Sequence, residues 1–342
     1  MKVLAKKTPA REEAPDGGAG TRRDALGISR LSLAVGTGES EIPLLADVTV
    51  RVGRGETVGL VGESGSGKSL TARSALGMLP RGARATGGVT VSGVDVLAAG
   101  YRELRDLRRT RVSMIFQDPR ASINPVRRIG DYLTEGLRAR GVPARGAAEQ
   151  ALDLLGQVGI RDPKGAMGRF PHEFSGGMLQ RVVIAGALST EPELLLADEP
   201  TTALDVTTQA EVIGLLKEMQ RAHGTGMLFV THDLDLAAAI CDRVYVMYAG
   251  RIVEESAGAS LFGAPAHPYT RALLEASPSV HGGRAEIKAI RGRPRALAEA
   301  PSGCAFRDRC PLAGDECAET VPAHRPHGTS LVACLRPEQV TP

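Results

Sequence analysis

Gly62-Glu63-Ser64-Gly65-Ser66-Gly67-Lys68-Ser69 matches the pattern G-x-x-x-x-G-K-[ST] at every fixed position and follows an apolar run, Thr57 to Val61. The run reads as a buried strand, and a helix is expected to begin at Lys68. Glycines let the backbone curl so that successive N–H groups face inward, and the helix start adds the positive end of its dipole. These are the requirements of a triphosphate. Gly62, Ser64, Gly65, Ser66 and Gly67 would cradle the phosphate oxygens, Lys68 would reach the β- and γ-phosphates, and the Ser69 hydroxyl would ligate Mg²⁺. The plain alternative is a Gly-rich turn beside a surface lysine. Context elsewhere in the chain decides between them.

Downstream, Leu194-Leu195-Leu196-Ala197-Asp198-Glu199 has the form of a strand that delivers a carboxylate to the C-terminal edge of an α/β sheet, where ligands of such sheets bind. Asp198 would hold Mg²⁺ through water. Glu199, one residue further, points differently and suits a general base that polarises the attacking water. Alone, two acids after a strand more often cap a helix. A phosphate loop upstream favours the catalytic reading.

The bulk properties agree. The 342 residues suffice for one large α/β domain plus a smaller unit, and a 42% hydrophobic content can furnish its core. A formal charge of +3 gives no case for a nucleic-acid partner. No apolar run approaches the roughly 18 to 20 residues that span a bilayer, and the charged N-terminus lacks the apolar stretch of a signal peptide. The expected location is the cytoplasm.

Taken in order, residues 1–24 have the composition of a flexible tail, rich in Lys, Arg, Glu, Pro and Gly. Residues 25–52 read as a hairpin turning at Gly36 to Glu41. Ser69 to Leu79 reads as a helix stopped by Pro80, Gly88 to Gly93 as a short strand, Tyr101 to Arg109 as a basic helix, and Val112 to Phe116 as a strand. Helical spacing dominates a stretch from about 118 to 190, an inserted helical subdomain. The alternation then returns: strand Glu193 to Asp198, helix Thr208 to His223 ending at Gly224, strand Met227 to Val230, and two strands around Ala249-Gly250. Apolar strands alternating with helices imply a mostly parallel sheet. Beyond 261, Pro, His, Arg and Cys mark a smaller C-terminal unit, 262–342.

Phe174-Ser175-Gly176-Gly177-Met178-Leu179-Gln180-Arg181 decides the class. Ser175 is a good N-cap, and Gly176 and Gly177 leave the first-turn N–H groups open to an anion. This segment resembles the signature motif of ABC ATPases, and Pro171-His172-Glu173 before it resembles the peptide-importer branch, whose members often carry SGGM. The resemblance extends over about 25–261. It implies that Gln117 is the Q-loop glutamine contacting Mg²⁺ or water, that Ala203-Leu204-Asp205 is the D-loop communicating across a dimer, and that His232 in Thr231-His232-Asp233 is the switch histidine sensing the γ-phosphate. It also implies that two modules pair head to tail, with ATP between the phosphate loop of one and the signature of the other. The expected fold is therefore α/β, a P-loop NTPase of ABC type with an antiparallel β-subdomain, a helical insert and a small Cys-containing extension.

The implied role is the ATP-hydrolysing subunit of an importer for oligopeptides or dipeptides, peripheral to the cytoplasmic face of the membrane. Its partners would be a second ATPase subunit, two transmembrane permease subunits and, indirectly, a solute-binding protein. An importer ATPase for nickel or another small solute is the alternative within the branch. A soluble ABC ATPase acting on DNA or ribosomes is the more distant one.

Cys304, Cys310, Cys317 and Cys334 stand with five, six and sixteen residues between successive members, and no pair is C-x₂-C. Gly303 to Pro311, Val332-Ala333-Cys334, and His267 to Leu274 resemble the C-terminal extension of oligopeptide and dipeptide importer ATPases. In some of these, four such cysteines hold a [4Fe–4S] cluster, a role thiolates suit. Reduced thiols packed in a small core are the alternative. Cys241, on an expected helix, reads as a core residue.

One position departs from the family pattern. Members usually stack adenine on an aromatic residue at the end of the first strand, and distance from the phosphate loop puts Val35 there. Base stacking on an aromatic ring is worth roughly 1–3 kcal/mol. Val35→Tyr is expected to tighten ATP binding by about five- to a hundredfold, read by titration of the full chain with nucleotide; equal affinities would mean that another residue carries the base.

Overall fold

The computed structural model describes residues 24–201, 204–276 and 288–340. The expected tail, apart from Asp24, lies outside them. The hairpin forms from β1 (Asp24–Val35) and β2 (Ile42–Gly53), antiparallel with Val35 opposite Ile42. After β3 (Thr57–Val61) comes α1 (Lys68–Ser74), shorter than the helix expected to reach Leu79. It stops because Gly77 turns left-handed at φ 64°, while the Arg108 guanidinium takes up the Leu76 carbonyl at 2.9 Å. β4 (Ala83–Val91) and β5 (Val94–Asp95) complete a four-stranded antiparallel sheet in the order β2-β1-β4-β5.

Then follow α2 (Tyr101–Thr110), β6 (Val112–Ile115) and five helices: α3 (Pro119–Ser122), α4 (Ile129–Ala139), α5 (Ala144–Gln157), α6 (Pro163–Gly168) and α7 (Gly176–Leu188). The helical spacing is met by burial. Ala147, Ala151 and Leu155 on α5 and Ile129, Leu133 and Leu137 on α4 are buried. β7 (Leu194–Asp198), α8 (Val206–His223), β8 (Gly226–Thr231), α9 (Leu234–Ile240), β9 (Arg243–Tyr248) and β10 (Arg251–Ala257) return to the sheet. Gly224 closes α8 at φ 65°, and Ala249 and Gly250, both at positive φ, make the tight turn between β9 and β10. The chain continues through α10 (Gly258–Leu261), α11 (Pro268–Ala276), α12 (Glu316–Glu319), β11 (Arg325–His327) and β12 (Ser330–Val332).

The second sheet has eight strands in the order β11-β12-β10-β9-β3-β8-β7-β6. From β9 to β6 the pairing is parallel; β10, β12 and β11 are added antiparallel. Every residue of β3, β7 and β8 is buried, as expected of parallel strands covered on both faces. Alternate side chains serve two cores. Leu195, Ala197, Met227, Phe229, Val244 and Val246 face the insert helices, whereas Leu194, Leu196, Leu228, Val230 and Tyr245 face the antiparallel sheet.

The C-terminal segment is joined to the body by β12 on β10 and by a buried acid. Glu254, fully buried on β10, accepts from the backbone N–H groups of Ala266 (2.9 Å) and His267 (2.8 Å) and from the Ser330 hydroxyl (3.2 Å). Burial raises its carboxyl above the usual range despite these donors. His267 is itself 1% exposed, and its Nδ1 accepts from the Tyr269 N–H at 3.0 Å. Burial depresses the imidazole to about 3. Between that value and about 6.5 the unfolded chain takes up a proton that the folded chain refuses. Stability is therefore full above about pH 6.5 and falls as pH drops toward 3, with a slope of up to about 1.4 kcal/mol per pH unit from this one group. Denaturant melts at pH 7 and 5.5 should show a greater loss for the wild type than for His267→Gln; equal losses would mean that another group carries the acid sensitivity.

Candidate nucleotide site

Register in the parallel sheet brings the candidate residues to one edge. Val61 pairs with Thr231, Val230 with Asp198, and Ala197 with Ile115, so β3, β8, β7 and β6 end side by side. The loop after β3 begins at Gly62, Glu199 follows β7, His232 follows β8, and Gln117 lies two residues past β6. Four segments far apart in the chain thus share one rim.

The loop requires its glycines. At Gly62 (φ 155°) an added Cβ would lie 2.1 Å from the Met247 carbonyl oxygen, and at Gly67 (φ 106°) it would lie 2.7 Å from a methyl of Leu45. Neither position has room for a side chain. Ser64 and Gly65 form the exposed rim of the loop, whereas Ser66 and Lys68 are buried, 3% and 5% exposed. The Lys68 ammonium donates to the carbonyls of Gly62 (2.7 Å) and Glu63 (2.9 Å). Burial lowers its pKa, opposed by the carboxylates of Glu199, Asp198 and Glu63.

Asp198 is fully buried, and its carboxylate accepts from the Ser69 hydroxyl at 2.8 Å. Its second oxygen, also buried, has no hydrogen-bond partner among the described residues. Burial raises this carboxyl, with the Ser69 hydrogen bond and the Arg73 charge pulling the other way. A carboxylate oxygen with no hydrogen bond, only the Arg73 guanidinium 4.0 Å away, beside a hydroxyl is a donor set that suits a hard cation with oxygen ligands such as Mg²⁺.

Glu199 follows at φ 49°, in the left-handed region that non-glycine residues seldom adopt. One of its carboxylate oxygens accepts from the Gln117 amide at 2.9 Å, and the other lies 3.5 Å from His232 Nδ1. Its N–H donates to the Val230 carbonyl at 2.9 Å, which fixes the turn. Gln117, Glu199 and His232 therefore form one linked group, while Ser69 and Asp198 form a second beside it.

Ser175, Gly176 and Gly177 stand elsewhere. Ser175 caps α7, accepting from the Met178 N–H at 3.3 Å, and Gln180 on the same helix donates to the Pro200 carbonyl at 2.7 Å, tying it to the segment after Glu199. Ser175, Gly177 and Met178 line a groove with Arg181, Leu204 and Asp205; no residue of the phosphate loop lines it. Asp205 caps α8 through the Thr208 N–H and hydroxyl, and these hydrogen bonds hold its carboxyl below the usual range. Val35 ends β1 between Ile42 and Ala83, with no aromatic residue opposite it on either strand.

The four C-terminal cysteines do come together, around one cavity of about 20 Å³, room for about one water. The expectation of a [4Fe–4S] cluster finds no support in this arrangement. Among the described residues no three His, Cys, Asp or Glu side chains are arranged to hold a metal ion. None of the four is in a disulfide. Burial pushes Cys310 up to about 11 and raises Cys304 and Cys334. Cys241 closes α9 as a buried core residue, its thiol pushed up to about 12 by burial.

Three residues that the sequence did not single out border the site: Glu63, Tyr269 and Arg309. Tyr269 and Arg309 are distant in sequence, and nothing in their local pattern sets them apart.

Comparison with known proteins gives two matching families, "ABC transporter" over residues 45–202 and "Oligopeptide/dipeptide transporter, C-terminal region" over 253–317. The chain is 45% identical to the probable D,D-dipeptide transport ATP-binding protein DdpD of Escherichia coli (strain K12), over 92% of this chain and 97% of that one. It is 42% identical to the oligopeptide transport ATP-binding protein OppD of Salmonella typhimurium, over 91% and 93%. Among solved structures, a dimeric ATP-binding cassette in a post-hydrolysis state with ADP and Pi superimposes with a TM-score of 0.61 at 26% identity, covering 68% of this chain and 98% of the other.

Proposed function

Because the chain belongs to the ABC transporter ATP-binding subunits of the oligopeptide and dipeptide importer family, we propose that it hydrolyses ATP to drive uptake of small peptides through two membrane-embedded permease subunits fed by a solute-binding protein. The observation that carries the reading is the convergence of Gly62 to Ser69, Asp198, Glu199, Gln117 and His232 on one sheet edge. No described helix is long and apolar enough to cross a membrane, so the pore would belong to the permeases.

In this reading the backbone of Gly62 to Gly67 and Lys68 grip the phosphates. Ser69, Asp198 and Gln117 would hold Mg²⁺, which would supply positive charge to offset that of the phosphates. Glu199, oriented by Gln117 and His232, accepts a proton from the attacking water. The groove bearing Ser175, Gly177 and Asp205 contains no phosphate-loop residue, so it serves a nucleotide on a second ATPase subunit. Two half-sites close around two ATP molecules and reopen on hydrolysis. Turning such an equilibrium from 1:99 to 99:1 takes about 5.5 kcal/mol of preferential binding to the closed pair. The surface after Gln117, where Val126 is 78% exposed, would meet the permeases.

Glu199→Gln is expected to keep nucleotide affinity while turnover falls by roughly 10²–10⁴, measured as Kd against steady-state phosphate release; turnover near wild type would assign the base elsewhere. Purification in detergent is expected to bring down two membrane subunits and a second ATPase, with ATP turnover stimulated by a peptide-loaded binding protein. Stimulation by a nickel-loaded protein instead would select the small-solute alternative.

A further inference from the structure

Between Cys304 and Cys310 the chain folds into a single 3-10 turn, Arg307–Arg309. The Cys304 N–H donates to the Cys317 carbonyl at 2.8 Å, and the Arg309 N–H to the Phe306 carbonyl at 3.0 Å. The turn sends two side chains into the body of the protein. Phe306, 1% exposed, meets Tyr248 edge-on with ring centroids 5.2 Å apart, and lies equally close to Tyr269. Arg309 is 7% exposed, its guanidinium 5.7 and 5.8 Å over the rings of Tyr248 and Phe306. Its Nε donates to the Arg291 carbonyl at 2.7 Å. Its two terminal nitrogens donate to both carboxylate oxygens of Glu63, at 2.6 and 3.0 Å.

Glu63 is the second residue of the phosphate loop. Its N–H donates to the Tyr269 hydroxyl at 2.8 Å, and its carbonyl accepts from Lys68 Nζ. The C-terminal segment therefore grips the loop at backbone and side chain together. A two-pronged arginine–carboxylate pair fixes distance and plane, and in a buried setting each charge depends on the other. Without Arg309, the Glu63 carboxylate would lose its paired guanidinium and place more negative charge beside a site built for a polyanion.

We propose that Arg309 is a positioning residue of the nucleotide site. It holds Glu63, and through it the first turn of the phosphate loop, and it cancels the one acidic charge of that loop. The C-terminal segment is then part of the ATP-binding machinery. The inference rests on the reading of Gly62 to Ser69 as the phosphate loop, and Lys68→Ala tests that reading separately.

The experiment is titration of the full-length chain with MgATP, with a thermal melt of each variant. Arg309→Gln should weaken binding by roughly tenfold or more. Adding Glu63→Gln should recover most of that loss, because the offending charge is gone and two amides can still pair. Wild-type affinity in a folded Arg309→Gln variant, or a double variant no better than the single one, overturns the proposal. If Arg309→Gln does not fold, Arg309→Lys keeps the charge but loses the paired geometry; it should bind roughly three- to tenfold more weakly, and unchanged affinity overturns the proposal equally. Loss of binding is required of Lys68→Ala; if that variant binds normally, the phosphate-loop reading itself is wrong.

Discussion

A parallel sheet buried on both faces can present polar chemistry only at its ends, and that constraint organises this protein. The strands from β6 to β9 are pressed between two cores that share them through alternate side chains. Their C-terminal ends, held in register, are where backbone and side chains escape the apolar interior. Asp198 sits at that boundary, buried, with one oxygen on Ser69 and the other without a hydrogen-bond partner among the described residues. Such a carboxylate costs stability unless a cation or proton completes it.

The two groups of polar residues at the rim divide the chemistry in space. Ser69 and Asp198 are hydrogen-bonded to each other, while Glu199 is held by Gln117 and His232, on a backbone turn that only a fixed surrounding would hold at positive φ. The capped start of α7 faces a different groove, next to Asp205.

The C-terminal segment is bound into the body at three levels. β12 extends the main sheet, Glu254 collects hydrogen bonds from two separated segments, and Phe306 and Tyr269 complete the core on the insert side. Arg309 carries this attachment to the phosphate loop itself. The cysteines lie on the far side of the same turn, around a cavity that admits about one water.

Much of this was legible in the sequence because it is local. The phosphate loop, the strands β3, β7 and β8, the Ser175 cap and the Gly224 stop are each set by a few neighbouring residues whose backbone preferences or polarity leave little choice. Family resemblance drew attention to Gln117, Asp205 and His232. The early end of α1 was not legible, because it depends on Arg108 reaching back to Leu76 across the fold. Nor was the small cavity between the cysteines, since spacing says nothing of the room left between them. Glu63 and Arg309 stand 246 residues apart, and nothing in the motif around either points to the other. A charge pair across that separation exists only when β10, α11 and the Cys304 to Cys310 turn have packed against the sheet. The sequence alone determined a triphosphate-binding α/β chain of ABC type; only the tertiary structure decided that its C-terminal segment grips the phosphate loop, because that contact is made by packing between distant elements.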